Sequence, residues 1–196
     1  MLNRHRSEGF SAVELLIVCA IAGCIAAMAI PATSGMVNEF SLSGDAHGVS
    51  NTLAQARLTG AANFTRARLY LDRANNRYRI ERWNKTAAQW QAVGGDAPLG
   101  RLNSFSAGAI TVPPPNSQLV LGQPTACLNN AGAAIANTSC ILFNSRGVPI
   151  DSAGAPTPVA VIYLSGPTAV YGVVVGTTSL LAMWRISPGG ATWVQK

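Results

Sequence analysis

The stretch TRARLYLDRANNRYRIERW, from Thr65 to Trp83, predicts a β-hairpin. In both halves apolar side chains alternate with polar ones, and a period of two is typical of strands with one buried face. Ala67, Leu69 and Leu71 share the predicted inner face of the first strand. The RANN segment between the halves, residues 73–76, has the composition of a turn.

The charges of this hairpin predict its register. If Leu71 lies opposite Tyr78, Arg68 faces Glu81. The same register places Arg66 beside Trp83 and so allows a cation–π contact.

Five more segments have strand composition, and residues typical of turns separate them. We therefore expect an antiparallel sheet domain built on these candidates: Ala109–Val112, Cys140–Phe143, Val159–Leu164, Val170–Val175 and Leu181–Ile186.

The segment before the hairpin has a different pattern. Leu15–Ile30 contains no polar side chain, in a chain that is 48% hydrophobic and only 11% charged. At about 1.5 Å per residue, a helix over Phe10–Pro31 is long enough for the roughly 30 Å of bilayer hydrocarbon. We expect a membrane span here, and a cleaved secretory signal peptide is the alternative, because AMAIPATSG (residues 27–35) contains small residues typical of a cleavage site.

Helical periodicity resumes beyond Pro31, a residue that predicts a kink or a locally melted turn. One stripe of mostly small residues repeats every three or four positions and ends near Asn63; its members are Leu42, Ala46, Val49, Leu53, Ala56 and Gly60. The predicted fold class is α+β, with a long N-terminal transmembrane or amphipathic helix packed on a C-terminal antiparallel β-sheet domain.

Glu14 is a single acid at the start of the apolar run. An unpaired carboxylate within a membrane helix costs about 3 kcal/mol, so it implies a partner. If the chain were cut between Gly9 and Phe10, the new amino terminus would lie four residues before Glu14. That terminus could pair with Glu14 of a neighbouring copy.

The residues GFSAVELLIV, Gly9 to Val18, resemble the prepilin signature of type IV pilins and pseudopilins. A basic leader ends in glycine, phenylalanine follows, glutamate occupies the fifth mature position and Pro31 the twenty-second. The resemblance implies that prepilin peptidase cuts after Gly9, that the amino group of Phe10 is methylated, and that Glu14 sets the register between subunits. Such a subunit joins other pilins or pseudopilins and inner-membrane assembly proteins, after a stage in membrane lipid.

The leader arginines Arg4 and Arg6 predict a cytoplasmic N-terminus under the positive-inside rule. The expected localisation is the inner membrane, crossed once, with a periplasmic C-terminal domain and a pilus or pseudopilus after assembly.

The segment CILFNSRGVPID, residues 140–151, resembles a region of the GspH/FimT-like pseudopilins, in which a long helix packs on two small sheets. The resemblance implies four parts: a leader (1–9), a transmembrane helix (10–31), the outer half of the helix (32–63) and a GspH/FimT-like β-rich domain (64–196).

The four cysteines form two sets. Cys19 and Cys24 lie in the apolar run and are interpreted as small apolar residues. Cys127 and Cys140 lie in the predicted extracytoplasmic domain, where an oxidising compartment permits a disulfide. Such a bond would stabilise the fold by about 3 kcal/mol in the chain-entropy model; two free thiols are the alternative.

Eight basic residues and two acids lie between Arg57 and Lys85, while the whole chain has a net charge of +6. The hairpin is predicted to place Arg66, Arg68, Arg77 and Arg79 on one face. This patch is either a solvated face or a surface for DNA phosphates, anionic lipid or an acidic subunit. Some FimT-like proteins bind DNA through a C-terminal GRxR motif, which residues 178–185 here lack.

Residues for catalysis are not apparent, and we predict no catalytic, cofactor or metal site. His47 is the one histidine after Gly9, and no cysteine or histidine spacing fits zinc. The sequence thus favours a non-enzymatic subunit of a type II secretion pseudopilus or type IV pilus. The alternatives are a DNA-uptake minor pilin that uses the basic hairpin and a membrane-anchored enzyme.

Overall fold

The structure is a computed structural model that describes residues 11–196, apart from the side chains of residues 28–32. It contains one helix and nine strands within that range, in the order α1 (Ala12–Ala62), β1 (Ala67–Asp72), β2 (Arg77–Asn84), β3 (Gln89–Pro98), β4 (Thr138–Phe143), β5 (Pro149–Ile150), β6 (Ala160–Ser165), β7 (Val170–Val175), β8 (Leu181–Ile186) and β9 (Val194–Gln195).

The chain divides after Val37 into two compact units. In the first unit, the start of α1 exposes large apolar side chains on all sides, including Leu16 at 72% and Ile25 at 64% exposure. The second unit begins at Asn38 and holds the rest of α1 together with every strand.

Two antiparallel sheets and the part of α1 after Val37 form the second unit. One has the strand order β3-β2-β1-β4-β5, and the other has the order β6-β7-β8-β9. The main core joins the C-terminal part of α1 to side chains of both sheets, such as Leu69 of β1 and Val173 of β7. A smaller core around Tyr163 and Trp193 lies within the second sheet and its loops.

The predicted stripe on α1 is confirmed, because its members are fully buried: Leu42, Ala46, Val49, Leu53 and Ala56. The helix also ends where we expect it. Phe64 follows the last turn with φ at 48°, and the Thr65 N–H donates to the Gly60 carbonyl at 3.0 Å. A left-handed residue after a helix commonly closes the last turn in this way.

The predicted hairpin and its register are confirmed. In the β1–β2 pairing Leu71 lies opposite Tyr78 and Arg68 opposite Glu81. Beyond the paired residues, the Trp83 N–H donates to the Arg66 carbonyl at 2.9 Å.

The other strand predictions are mixed. Four of the five candidates coincide with β4, β6, β7 and β8. Ala109–Val112 was predicted as a strand but has an irregular backbone. Ile110 of this loop is buried in the smaller core. The 10-residue β3 was not predicted, because Gly94, Gly95 and Pro98 interrupt the alternation.

The predicted fold class, a long N-terminal transmembrane or amphipathic helix packed on a C-terminal antiparallel β-sheet domain, is wrong. Two separate sheets dominate the second unit, and α1 taken over its whole length has no single apolar face. Within residues 11–196 no helix combines the length and the apolarity that a membrane crossing requires.

This finding also corrects the predictions that depend on the span. It contradicts the transmembrane helix at residues 10–31 and the single-pass inner-membrane localisation with a periplasmic C-terminal domain. The backbone of α1 continues through Pro31, so the chain does not melt locally at that residue.

Candidate functional site

The outer face of the first sheet carries a row of arginines and aromatic rings. Because Ala67, Leu69 and Leu71 point into the core, the alternate residues of β1 point away from it. Residues on β2 and β3 complete the row, which contains Arg66, Arg68, Tyr70, Arg79, Trp83 and Trp90; we call this set the arginine–aromatic row.

Glu81 is the anionic centre of this row. Its Oε2 lies 2.7 Å from Arg68 Nε and 2.5 Å from Arg68 Nη2, and its Oε1 lies 2.8 Å from Arg79 Nε. Arg79 also reaches Asp96 on β3 at 3.2 Å. The side chains of Arg68 and Glu81 are only 5% and 7% exposed, so this ion pair is shielded from solvent.

The aromatic rings cover the guanidinium groups. Arg68 lies 4.0 Å from the ring centre of Trp90, Arg79 lies 4.2 Å from that of Tyr70, and Arg66 lies 5.0 Å from that of Trp83. Burial lowers the pKa of Arg68 from its ordinary value, and the charge of Glu81 opposes that shift. Because an arginine guanidinium is not deprotonated in proteins, Arg68 stays charged in this site.

The predicted anionic-ligand patch is therefore divided by the structure. Arg68 and Arg79 are neutralised by carboxylates, whereas Arg77 is exposed at the end of the hairpin. Arg66 is half-buried against Trp83 and, within residues 11–196, has no carboxylate at ion-pair distance. The patch offers a ligand less positive charge than the sequence indicates.

A groove of about 850 Å³ lies beside the row. Leu142 and Ile150 of β4 and β5 line it, together with Arg66 and Arg68, and the loop of residues 117–130 forms a wall. Cys127 and Cys140, the predicted disulfide pair, are bonded in the structure with their Cα atoms 5.0 Å apart, and they also line the groove. Arg68 Nη1 donates to the carbonyl of Leu128 at 2.7 Å, so the buried arginine holds the same loop that the disulfide anchors.

The start of α1 shows a local role for Glu14. The Ser11 N–H donates to Glu14 Oε2 at 3.2 Å, and the Val13 N–H donates to Ser11 Oγ at 3.3 Å. Serine at the cap and glutamate three residues later form a capping box, which our sequence interpretation missed although the S-x-x-E pattern signals it. Gly9 and Phe10, the predicted cleavage and methylation residues, lie outside the described residues.

The remaining assembly and cysteine predictions fall on α1. Pro31 lies within the helix, and its side chain is not among those described. Cys19 and Cys24 are free thiols, and both are exposed.

A second charged site was not predicted. Glu39 Oε1 lies 2.6 Å from Arg185 Nε, and its carboxylate also accepts hydrogen bonds from Thr168 at 2.9 Å and Tyr171 at 3.1 Å. The hydrogen bond from Arg185 lowers the pKa of Glu39, and burial opposes this shift. Glu39 and Arg185 are 146 positions apart in the sequence, so no local pattern could pair them.

The residues considered for catalysis are structural or exposed. Asp45 Oδ2 accepts the Gly100 N–H at 2.7 Å and the Asn103 amide at 2.6 Å, which fixes a loop onto α1. His47 is exposed. Among the described residues no group of histidine, cysteine and carboxylate side chains could hold a metal ion.

Comparisons with protein-family models, with curated proteins and with solved structures find nothing that matches this chain. The geometry and the sequence motifs are therefore the basis for assigning a function.

Proposed function

We propose that the chain is a pilin-like assembly subunit of a type II secretion pseudopilus or type IV pilus. In this proposal prepilin peptidase processes it after Gly9, and the N-terminal part of α1 packs against the helices of other pilins or pseudopilins and of assembly proteins. The folded unit after Val37 is then carried on the surface of the filament.

The observation that carries the proposal is the exposed apolar surface of α1 in the first unit. It includes seven large side chains that are each at least half exposed: Val13, Leu15, Leu16, Ile17, Val18, Ile21 and Ile25. Monomeric proteins rarely expose a contiguous apolar surface of this kind, so it favours burial in an assembly. Small residues between the large ones, such as Ala20 and Gly23, permit close helix packing.

Glu14 supports the same proposal. The capping contact occupies one carboxylate oxygen and joins it to Ser11 of the same chain. Processing before Phe10 would create a charged amino terminus, which in this proposal pairs with the Glu14 carboxylate of a neighbouring subunit. A charge pair of this type depends strongly on distance, which suits it to setting the register between subunits.

The free thiols provide the assay. Cys19 and Cys24 are exposed on the proposed packing surface, while Cys127 and Cys140 are bonded to each other. In cells that express a pilus or pseudopilus machine, mild oxidation should give covalent dimers. A double variant, Cys19→Ser with Cys24→Ser, should give none.

Substitution of Glu14 separates the two roles. Glutamine retains the capping box but loses the charge, whereas alanine loses both. If the carboxylate pairs with a neighbouring amine, Glu14→Gln should reduce cross-linking about as much as Glu14→Ala. A Glu14→Gln variant that cross-links normally, or mass spectrometry that finds residues 1–9 still attached in cells with active peptidase, would refute the proposal.

A further inference from the structure

The groove beside the arginine–aromatic row has an apolar floor. In the sheet register Arg68 lies opposite Leu142, and Leu142 lies opposite Ile150. Residues directly opposite each other share a face, so these side chains and the disulfide form one surface. The floor is largely hydrophobic. The volume of the groove, about 850 Å³, is in the range of small-molecule sites.

The backbone around the groove is already hydrogen-bonded. Gln118 accepts the Val161 N–H at 3.2 Å, and Gln123 both accepts the Tyr163 N–H and donates to its carbonyl, at 3.2 and 2.7 Å. At the other edge the Asp151 N–H donates to Ala155. An added peptide strand would find few free backbone groups, so a ligand must bind through side chains.

Arg66 is the cation that the groove leaves available. Arg68 is paired with Glu81, but Arg66 lies over the ring of Trp83 and, in the part of the chain described, has no carboxylate within ion-pair distance. Asp151, the acidic residue of the lining, lies two strands away, about 10 Å across the sheet and about 10 Å along it by strand spacing. One carboxylate oxygen of Asp151 accepts the Ala155 N–H at 2.9 Å.

We propose that this groove binds a single-chain amphiphile with an anionic head, whose apolar chain lies on Leu142 and Ile150 and whose head group pairs with Arg66. The apolar floor fits a hydrocarbon chain, and a guanidinium without a carboxylate partner among the described residues favours an anionic head group over a neutral or cationic one. The inference does not depend on the assembly role, because every residue that carries it lies in the unit after Val37.

The test uses the full-length protein and sodium laurate below its micelle concentration. All four tryptophans lie in the second unit, and Trp83 and Trp90 line the groove. Laurate should change the tryptophan emission saturably, and Trp83→Phe should remove much of that change. Dodecyl maltoside and dodecyltrimethylammonium, which share the chain but not the charge, should give at least fivefold weaker binding.

Arginine substitutions locate the head group. Arg66→Gln should weaken laurate binding about fivefold, the effect of losing one partly exposed charged contact, while Arg66→Lys retains most of it. Arg77→Gln is the matched control, because it removes the same charge from the same hairpin at an exposed position outside the groove. Unchanged emission, equal effects of the two glutamine variants, or equal binding of all three amphiphiles would overturn the proposal.

Discussion

Replacing Glu81 with glutamine tests whether the arginine–aromatic row depends on its buried carboxylate. The substitution keeps the shape of the side chain but removes the charge that Arg68 and Arg79 share. Arg68 then keeps its charge in a site where its side chain is 5% exposed. Removing one partner of a buried pair typically costs 3–5 kcal/mol, because the other charge remains uncompensated.

The structure indicates the lower end of that range. Arg79 is 27% exposed and keeps Asp96 at 3.2 Å, and Arg68 keeps the Leu128 carbonyl at 2.7 Å. We therefore expect Glu81→Gln to lower the free energy of unfolding by about 3 kcal/mol. With a urea m-value of about 2 kcal/mol/M for a unit of this size, the midpoint falls by about 1.5 M.

The assay is urea unfolding of the full-length protein, followed by circular dichroism and by tryptophan emission. Arg77→Gln, at an exposed position of the same hairpin, should change stability by less than about 0.5 kcal/mol. Adding Arg68→Met to Glu81→Gln removes the cation that has lost its carboxylate partner. The double variant should regain at least about 1 kcal/mol of the lost free energy of unfolding, because a buried charge without its partner destabilises the fold. The reasoning is refuted if Glu81→Gln costs no more than Arg77→Gln, or if the double variant is less stable than Glu81→Gln alone.

Two further predictions concern α1. Arg185 lowers the pKa of Glu39, so the stability that the Glu39 carboxylate contributes is complete above the ordinary pKa of 4.5 and is lost as the pH falls through the lowered pKa. Urea midpoints measured from pH 6 to pH 3 should therefore fall more steeply for the native chain than for Glu39→Gln. Parallel curves for the two proteins would contradict this prediction. Gly44→Ala should stabilise the helix by up to about 1 kcal/mol, because nothing lies within 4 Å of the added carbon. Gly60→Ala should destabilise the protein, because the added carbon would lie 3.1 Å from the Asn144 carbonyl oxygen and 3.2 Å from that of Thr65. Thermal melts that rank the two variants the other way would show that the end of α1 can move.

The parts of the fold that the sequence predicts are those with a local signal. The hairpin register follows from strict alternation and from one opposite-charge pair, Arg68 with Glu81. The buried stripe of α1 follows from a period of three and four. By contrast, β3 has two adjacent glycines, and its position is set by pairing with β2, which no local pattern shows.

The burial of Arg68 could not be predicted from the same alternation. A strand with a period of two indicates only which side chains leave the core, and it does not show what covers the outer face. Here residues 117–130 lie over that face, and Asp96 arrives from the unpredicted β3. The sequence therefore indicates a solvated basic patch where the structure has a shielded ion-pair network.

This covering explains why so many features coincide on one face. Three contacts fix the loop that covers Arg68. They are the Cys127–Cys140 bond, the hydrogen bond from Arg68 to the Leu128 carbonyl, and the hydrogen bond from the backbone N–H of Trp90 to Asn130 Oδ1 at 3.0 Å. A loop held this way shields the ion pair and also raises the wall of the groove. Glu81 and Asp96 neutralise Arg68 and Arg79 on the same face, whereas Arg66 has no carboxylate partner among the described residues. The face therefore loses the extended positive surface that a nucleic acid needs and retains one cation beside an apolar groove.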